Sequence, residues 1–375
     1  MMKTRHAFTL VELLTVIVII GILVTIITVA VAAAFRAIHR GKIGMEMGQI
    51  AIALDRYKAE FGEYPPDMLD DEALVRHVKK RWPRLNWENL EKLPFANDNQ
   101  YQGGYNPLLL TGLEREAWLI RNAVSVAYGQ GEYLGRFYHI DFNDWYYKGF
   151  SMNLDEVPYS RPGGALALWL GGFPNADGKL SGFYADPENP FTPSDTFDGK
   201  VFLDLEMGNN KRVRGIMYEV WDSTPSGEVI GSVALYTYAV PVLGIEIRGT
   251  FLPFTYFRGR ADGGDGAYRI GGEGGPIKNV LGPYARNPDN WGGPYAESVS
   301  TVHPESGEPG TPDVRVIRWY NPTTYQLIHP GLDGKLGDDG GVPIRVISTG
   351  EGISAADLDN ITNFSDNKPL RSILP

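Results

Sequence analysis

A long apolar run near the N-terminus sets the strongest limit on what this chain can become. From Leu13 to Phe35 the sequence contains no charged residue. As an α-helix this run is about 35 Å long, whereas the hydrocarbon core of a bilayer is roughly 30 Å thick. Ala32-Ala33-Ala34 imitates the cleavage site of a secretory signal, but the apolar core of such a signal is shorter, at about 7 to 15 residues. The run therefore predicts a transmembrane helix.

The charges on either side of the run bear on its orientation. Lys3 and Arg5 precede it, and basic residues tend to stay on the cytoplasmic side of a membrane. The rest of the chain is then expected on the far side. Arg36, Arg40 and Lys42 follow the run and make this signal weaker.

Glu12 is a carboxylate at the start of a segment that otherwise avoids charge. Inserting an acid costs about 2.5 to 3.5 kcal/mol in mid-membrane and less near an end. One interpretation is an interfacial acid at the end of an ordinary signal anchor. The other is a functional acid that has a partner, and the residues around Glu12 favour it.

The residues from Ala7 to Glu12 read Ala-Phe-Thr-Leu-Val-Glu. In order and spacing they resemble the processing site of type IV pilins and of the pseudopilins of type II secretion systems. In that family a prepilin peptidase cleaves before the Phe and methylates the new amine. The resemblance implies cleavage between Ala7 and Phe8, an N-methylated Phe8, and Glu12 as the acid at the fifth mature position. Ala7 stands where Gly is commoner in the family.

The resemblance also implies a role for Glu12 and a set of partners. The new amine of a neighbouring subunit would neutralise Glu12 inside a helix bundle and so select the register. The implied partners are the prepilin peptidase, copies of this chain, other pilins or pseudopilins, and the inner-membrane assembly machinery. The protein is expected as a single-pass protein of the bacterial inner membrane, with its head on the periplasmic or extracellular side, and then in a pilus or pseudopilus.

Beyond Phe35 the apolar residues become periodic, which predicts that the helix continues with one buried stripe. The stripe consists of Ile43, Met47, Ile50, Leu54, Tyr57 and Phe61, and the opposite face of Lys42, Glu46, Gln49, Arg56 and Glu60. The predicted helix runs from Phe8 to Phe61, and Pro65-Pro66 ends it. Gly41, Gly44 and Gly48 are expected to bend or loosen it. Tyr57–Pro66 resembles the helix end of major pseudopilins, where a Tyr-rich segment enters a Gly-x-Tyr-Pro turn.

The remainder of the chain is predicted to be a large α+β head, with helices packed on an antiparallel sheet. Helices and strands are predicted at Asp70–Lys80, Gly112–Val126, Arg214–Trp221 and Gly231–Val240. Val314–Tyr320 is expected to pair with Thr324–Ile328 across Asn321-Pro322. Gly259–Gly293 is rich in Gly and Pro and predicts a displayed loop. Pro162–Pro174 resembles a helix found in the head of large pilin-like proteins.

Charge and cysteine content exclude several functions. The formal net charge is −10, which argues against general binding to nucleic acid. The chain has no cysteine, which excludes disulfides, Cys-ligated zinc and thiol catalysis. The segment Arg76–Arg84, with Trp82 and Trp87 interleaved, has the composition of a single-stranded nucleic acid site. A solvated helix face is the favoured interpretation, because the protein as a whole is acidic.

Asp-Gly loops recur along the chain, and none has the spacing of an EF-hand. They lie at Asn175–Lys179, Asp198–Lys200, Asp262–Gly266 and Gly331–Gly341. The last follows Tyr325–Ile328, and this strand and loop resemble the C-terminal region of major pseudopilins, which holds calcium. The resemblance implies Ca2+ with Asp333, Asp338 and Asp339 as ligands; the alternative is a plain turn whose acids face water. For the other loops the turn is favoured.

The sequence contains no His-Glu-x-x-His, no Gly-x-Ser-x-Gly and no phosphate loop, so no enzymatic activity is predicted. We predict a structural subunit of a type IV pilus-like filament or of a type II secretion pseudopilus, which would serve protein secretion. Its parts are a leader (1–7), a long helix (8–62, transmembrane over 8–35) and a head (63–375). One alternative is a membrane-anchored binding module that presents Gly259–Gly293 or Arg76–Arg84 to a ligand such as DNA. Another is a tethered hydrolase that uses scattered carboxylates.

Overall fold

A single long helix begins the structure, a computed structural model that describes residues 10–68, 70–93, 112–128, 164–207, 212–220, 228–237, 252–260, 294–302, 313–332, 345–350 and 353–374. This helix, α1, spans Leu10–Phe61, which is 52 residues and about 78 Å. The predicted helix is confirmed from Leu10 onward, whereas Phe8 lies outside the described residues. The helix continues without a break through the glycines at positions 41, 44 and 48.

The last third of α1 packs on the head through the predicted stripe. The buried members are Ile43, Met47, Ile50, Leu54 and Tyr57, with Phe61 partly buried at the end. On the opposite face Gln49, Arg56 and Glu60 are exposed. Gly62 ends the helix in a left-handed conformation (φ +79°), and its N–H donates to Lys58 O at 2.7 Å.

Shorter helices build one part of the head. In chain order the described ones are α2 (Asp71–Arg81), α3 (Trp87–Glu91), α4 (Gly112–Tyr128) and α5 (Gly164–Gly171). Asp70 caps α2, because its carboxylate accepts a hydrogen bond from Ala73 N at 3.1 Å. α2 and α3 pack on α4, and α5 lies against α1. Residues 165–170 of α5 are at most 2% exposed, as expected for a helix that is apolar on all sides.

The described strands form three small sheets. In chain order they are β1 (Val213–Val220), β2 (Glu228–Thr237), β3 (Leu252–Pro253), β4 (Thr255–Arg258), β5 (Tyr295–Val302), β6 (Asp313–Trp319), β7 (Tyr325–His329), β8 (Arg345–Val346) and β9 (Ile361–Thr362). The sheet orders are β1-β2-β3, β4-β7-β9 and β6-β5-β8. β5 and β8 are parallel, and the other pairs are antiparallel. The fold of the described residues is therefore α+β, with several small sheets in place of one.

The predicted pairing of Val314–Tyr320 with Thr324–Ile328 is wrong. Both segments are strands, but β6 pairs with β5, while β7 pairs with β4 and β9. Asn321 turns the chain out of β6 in a left-handed conformation (φ +50°). The buried amide of Gln326 then bonds Tyr295 N at 2.7 Å, Tyr295 O at 2.9 Å and Tyr320 O at 2.9 Å. A side chain thus links the two sheets where the sequence predicted a strand ladder.

The C-terminal residues return to the long helix. β9 adds to β7 and is followed by short 3-10 turns at Asn363–Ser365 and Leu370–Ser372. A Cβ atom placed on Gly44 would lie 3.5 Å from Asn367 Cβ, which is an ordinary packing distance. The last described segment therefore packs against α1 where the helix enters the head.

Candidate functional site

Of the predicted processing and assembly residues, the structure describes Glu12. Ala7 and Phe8 lie outside the described residues. Glu12 is in the first turn of α1 and is exposed. A carboxylate in a first turn interacts favourably with the helix dipole, so this position suits an ionised acid.

The apolar run is exposed along its described length. Its large apolar side chains keep 40% to 79% of their surface exposed between Leu10 and Phe35. The hydroxyls of Thr15, Thr25 and Thr28 donate to backbone carbonyls one turn earlier, at 2.7 to 2.9 Å. Every polar hydrogen of these side chains is thus satisfied inside the helix, as a lipid environment requires. Among the described residues, α1 is the one helix long and apolar enough to cross a membrane.

A second exposed surface continues beyond the run, on the face of α1 that points away from the head. Ile38 (63%), Met45 (67%) and Ile52 (56%) recur every seven residues and remain exposed. Between them lie Gly41 and Gly48, where an added Cβ would meet no atom of the described residues within 4 Å. Spacings of three and four place all five on one side of a helix. We call them the outer stripe, which can accept a second helix at close range.

A buried polar network connects the end of α1 to the head. We call its members Tyr57, Glu63, His77, Arg81 and Arg258 the joint. Glu63 accepts hydrogen bonds from Arg258 Nη2 at 2.7 Å and from His77 Nδ1 at 3.0 Å. His77 Nε2 lies 2.6 Å from Tyr57 OH, which donates to it because the proton of a neutral ring is already on Nδ1. The joint therefore holds α1, α2 and β4 together.

Burial and pairing set the charges in the joint. Burial would raise the pKa of Glu63, but the hydrogen bond from His77 and the charge of Arg258 lower it to about 2. Burial lowers the pKa of His77, although Glu63 acts in the opposite direction. At neutral pH Glu63 is ionised and His77 is neutral. Because Tyr57 is 0% and His77 1% exposed, the joint stabilises the fold and is closed to a substrate.

The basic segment Arg76–Arg84 is engaged within the head. The Arg81 side chain is 4% exposed and faces Asp198 at 3.5 Å. Its guanidinium also lies 4.3 to 4.4 Å from the ring centroids of Phe61, Trp82 and Phe183. Lys79 pairs with Glu116 at 2.6 Å. These contacts favour the structural interpretation of the segment over a nucleic acid site.

The described Asp-Gly loops are turns. Asn175 Oδ1 and Asp198 Oδ1 each accept hydrogen bonds at 3.0 Å from two backbone N–H groups, which fixes the local backbone. Asp262–Gly266 and the predicted calcium ligands Asp333, Asp338 and Asp339 lie outside the described residues. Within the described residues no group of three or more His, Cys, Asp or Glu is placed to hold a metal ion.

The sequence pattern does not predict the joint. One signal was present, since His77 occupies a position among the buried residues Leu74 and Val78 of α2. A polar residue in an apolar face needs a buried partner. Glu63 and Arg258 are far apart in the sequence, however, and the pattern of α2 does not identify them.

One comparison with known families bears on the N-terminus. Residues 2–28 match the model of a family described as the prokaryotic N-terminal methylation motif. The matched residues include Ala7, Phe8 and Glu12 and the first part of the apolar run, and the head lies beyond them. No curated protein and no solved structure matches the chain.

Proposed function

From the prepilin-type motif at residues 2–28 we infer that the chain is a substrate of a prepilin peptidase. We propose that it then serves as a structural subunit of a type IV pilus-like filament or of a type II secretion pseudopilus. The peptidase would cut between Ala7 and Phe8 and methylate the new amine. No catalytic role is part of this proposal.

The exposed apolar surface of α1 is the observation that carries the filament role. A soluble monomer rarely exposes so large an apolar surface, so a membrane or other helices must cover it. The outer stripe lies past the end of the membrane-crossing run, where lipid tails no longer reach it. Its isoleucines, methionine and glycines suit contact with a neighbouring helix. A membrane anchor alone would not require this surface.

Glu12 gives the bundle of helices its register in this proposal. As subunits pack, its carboxylate leaves water, and an unpaired buried charge is strongly unfavourable. The methylated amine of Phe8 in a neighbouring copy is the nearest cation that every mature chain would supply. The pair forms only when neighbouring helices are correctly staggered.

The proposed route begins in the bacterial inner membrane with the head on the periplasmic or extracellular side. The partners are the prepilin peptidase, copies of this chain, other pilins or pseudopilins, and the inner-membrane assembly machinery. Two filament types, a pilus and a pseudopilus, fit this route equally.

Calcium binding by Asp333, Asp338 and Asp339 is a separate proposal that rests on the resemblance of their loop. A ligand that binds only the folded state stabilises it, by about 2.7 kcal/mol at a concentration of 100 times Kd. Removal of Ca2+ by a chelator should therefore lower the melting temperature of the wild-type chain. An unchanged melting temperature would argue against a structural calcium ion.

N-terminal mass spectrometry of membranes tests the processing step. We expect a mature chain that starts at N-methylated Phe8 in cells with a prepilin peptidase, and an uncut chain in cells without it. A chain that starts at Met1 in both strains, or one cut after Ala34, would contradict the proposal.

A Glu12→Gln variant separates processing from assembly. The amide removes the charge that pairs with the amine of Phe8 but leaves the residues around the cut unchanged. We expect normal cleavage and few or no filaments by electron microscopy. Filaments at the wild-type level would exclude the proposed role of Glu12.

A further inference from the structure

A group of basic residues lies at the point where α1 leaves the apolar run. Arg36 follows Phe35 directly, about 1.5 Å further along the helix axis, and Arg40 lies about 7.5 Å past Phe35. The headgroup layer on each side of a bilayer is about 5 to 8 Å thick. When the run crosses the membrane, both guanidinium groups are therefore at the level of the headgroups.

The opposite end of the chain brings a third arginine to the same place. Arg371 lies in the Leu370–Ser372 turn and is exposed. Its charge acts on Arg40: burial and the charge of Arg371 lower the pKa of Arg40, whereas Asp359 raises it. The backbone agrees with this placement, because Asn367, four residues before Arg371, packs beside Gly44, one turn past Arg40.

Among the described residues these arginines form no close ion pair, and Asp359, whose charge acts on Arg40, offsets at most one of the three positive charges. The described ion pairs involve other basic residues, and none includes Arg36, Arg40 or Arg371. Three arginine charges beside the headgroup layer favour an anionic ligand.

We propose that Arg36, Arg40 and Arg371 bind the phosphate of an anionic phospholipid headgroup while the subunit is anchored in the membrane. Guanidinium groups donate parallel hydrogen bonds to phosphate oxygens, which makes arginine well suited to this ligand. The inference rests on the membrane-anchored stage of the proposed function. The proposal also gives a role to Arg36 and Arg40, the basic residues that follow the run. The tendency of basic residues to stay on the cytoplasmic side of a membrane does not explain them.

The depth of the arginines favours lipid over an acidic group of another subunit. An acid on a neighbouring copy could lie anywhere along α1, whereas a lipid phosphate lies in one layer, directly past the apolar run. Arg36 and Arg40 occupy that layer, and Arg371 joins them from a separate element. The outer stripe, which we assign to contact between copies, lies on a different face from Arg40 and begins at Ile38.

Native mass spectrometry of the full chain in detergent tests the site, with short-chain phosphatidylglycerol, phosphatidylcholine and inorganic phosphate as probes. The test variant is R36Q/R40Q/R371Q. The control, R56Q/R84Q/K92Q, removes the same charge from exposed positions away from the membrane end of the head. Each basic residue near a membrane surface contributes about fivefold to binding of anionic lipid. We expect phosphatidylglycerol occupancy to fall at least tenfold in the test variant and to stay within twofold of wild type in the control.

Several outcomes would overturn the inference. Equal phosphatidylglycerol occupancy in wild type and test variant would mean that these arginines do not form a lipid-binding site. Saturation of the wild-type site by inorganic phosphate at the same concentration would indicate a free-anion site. Unchanged lipid binding together with lost filaments would assign the arginines to another copy of the chain.

Two further measurements keep the result interpretable. The single variant R371Q changes one exposed side chain, so it remains usable if the triple variant does not fold; it should lose about fivefold in occupancy. Extraction of wild-type membranes with alkaline carbonate tests the anchor itself. Release of the wild-type chain would contradict the proposed membrane stage, whereas retention with no lipid effect would contradict only the headgroup site.

Discussion

His329 is a buried residue whose ring has a structural role. It is 0% exposed, Nδ1 accepts a hydrogen bond from Gly331 N at 3.1 Å, and the ring lies edge-on to Phe254 with centroids 5.0 Å apart. Burial lowers its pKa to about 3. The ring must stay neutral, because a proton on Nδ1 would remove the acceptor that Gly331 needs. Protonation of His329 would therefore destabilise the β4-β7-β9 sheet, so the stability of this sheet depends on pH.

A His329→Asn variant should reduce the pH dependence of stability. An unfolded histidine takes up a proton below its ordinary pKa of 6.5, whereas folded His329 does so only near 3. Wild-type stability should therefore fall as pH drops below 6.5, by about 2 kcal/mol at pH 5 from this residue. Asn cannot titrate, and its Oδ1 can still accept from Gly331. The free energy of unfolding in urea, compared at pH 7 and pH 5, checks this.

Burial also lowers the pKa of His77, but His77 is unchanged in the variant, so its contribution cancels in the comparison. If the free energy of unfolding changes with pH by the same amount in wild type and variant, folded His329 is protonated at an ordinary pKa.

Directly after α5, two segments of the backbone cross at close range. Gly172, at φ +79°, lies against Gly182, and a Cβ on Gly172 would approach the Gly182 carbonyl carbon to 2.2 Å. Tyr128 OH donates to Gly172 O at 2.7 Å and fixes this crossing to α4. The glycines are thus required by space as well as by backbone conformation.

Gly172→Ala should be far more destabilising than Gly199→Ala. Both residues have positive φ, at +79° and +68°, but an added Cβ on Gly199 meets no described atom within 4 Å. Gly199→Ala should cost about 1 to 2 kcal/mol from conformation alone. Gly172→Ala adds a steric clash that costs about 1 to 3 kcal/mol more. Thermal unfolding of the two variants measures the difference, and equal destabilisation would mean that the crossing relaxes freely.

At the scale of the whole molecule, the joint determines how the head is held on the long helix. Glu63 lies immediately beyond α1, His77 is in α2 and Arg258 ends β4, so one carboxylate connects three elements. Arg258 also receives support from Asp67, whose Oδ2 accepts the Arg258 N–H at 3.0 Å. Loss of one charge here leaves the others buried without compensation.

Glu63→Gln and Glu60→Gln form a matched pair that tests the joint. Glu63 is 16% exposed, and breaking a buried ion pair costs about 3 to 5 kcal/mol. Glu60 pairs with Lys200 at 2.7 Å, but both side chains are 49% exposed, and water and salt screen such a pair so that it contributes little. The free energies of unfolding at pH 7 should separate the variants by at least 2 kcal/mol. A similar loss in both would assign no special role to Glu63.

The outer stripe gives a prediction about assembly. Met45→Glu places a charge on a side chain that is 67% exposed, so folding and membrane level should not change. Burial of that charge against a second helix would be strongly unfavourable, and filaments should be lost. Met45→Leu, which keeps an apolar side chain at the same position, is the control and should assemble. Filament counts by electron microscopy test this prediction. Normal filaments from Met45→Glu would place the contact between subunits elsewhere.

The sequence predicts the elements whose signals are local. The buried stripe on α1 follows a helical period. α2 begins after Asp70, and Asp is a residue type that favours the N-cap of a helix. The pairing of β6 with β7 was mispredicted because the choice of partner depends on β4 and on Gln326, which periodicity does not include. The joint was not predicted from the sequence for the same reason, since its members come close only after the chain has folded.

The C-terminal segment that packs beside Gly44 determines when folding can finish. Translation delivers α1 before Asn367, which packs beside Gly44. Until then part of the helix surface stays uncovered beside an apolar segment, a state that is prone to aggregation and proteolysis. A chain interrupted before β9 never acquires this cover. The cover beside Gly44 therefore forms only in chains that extend through Asn367.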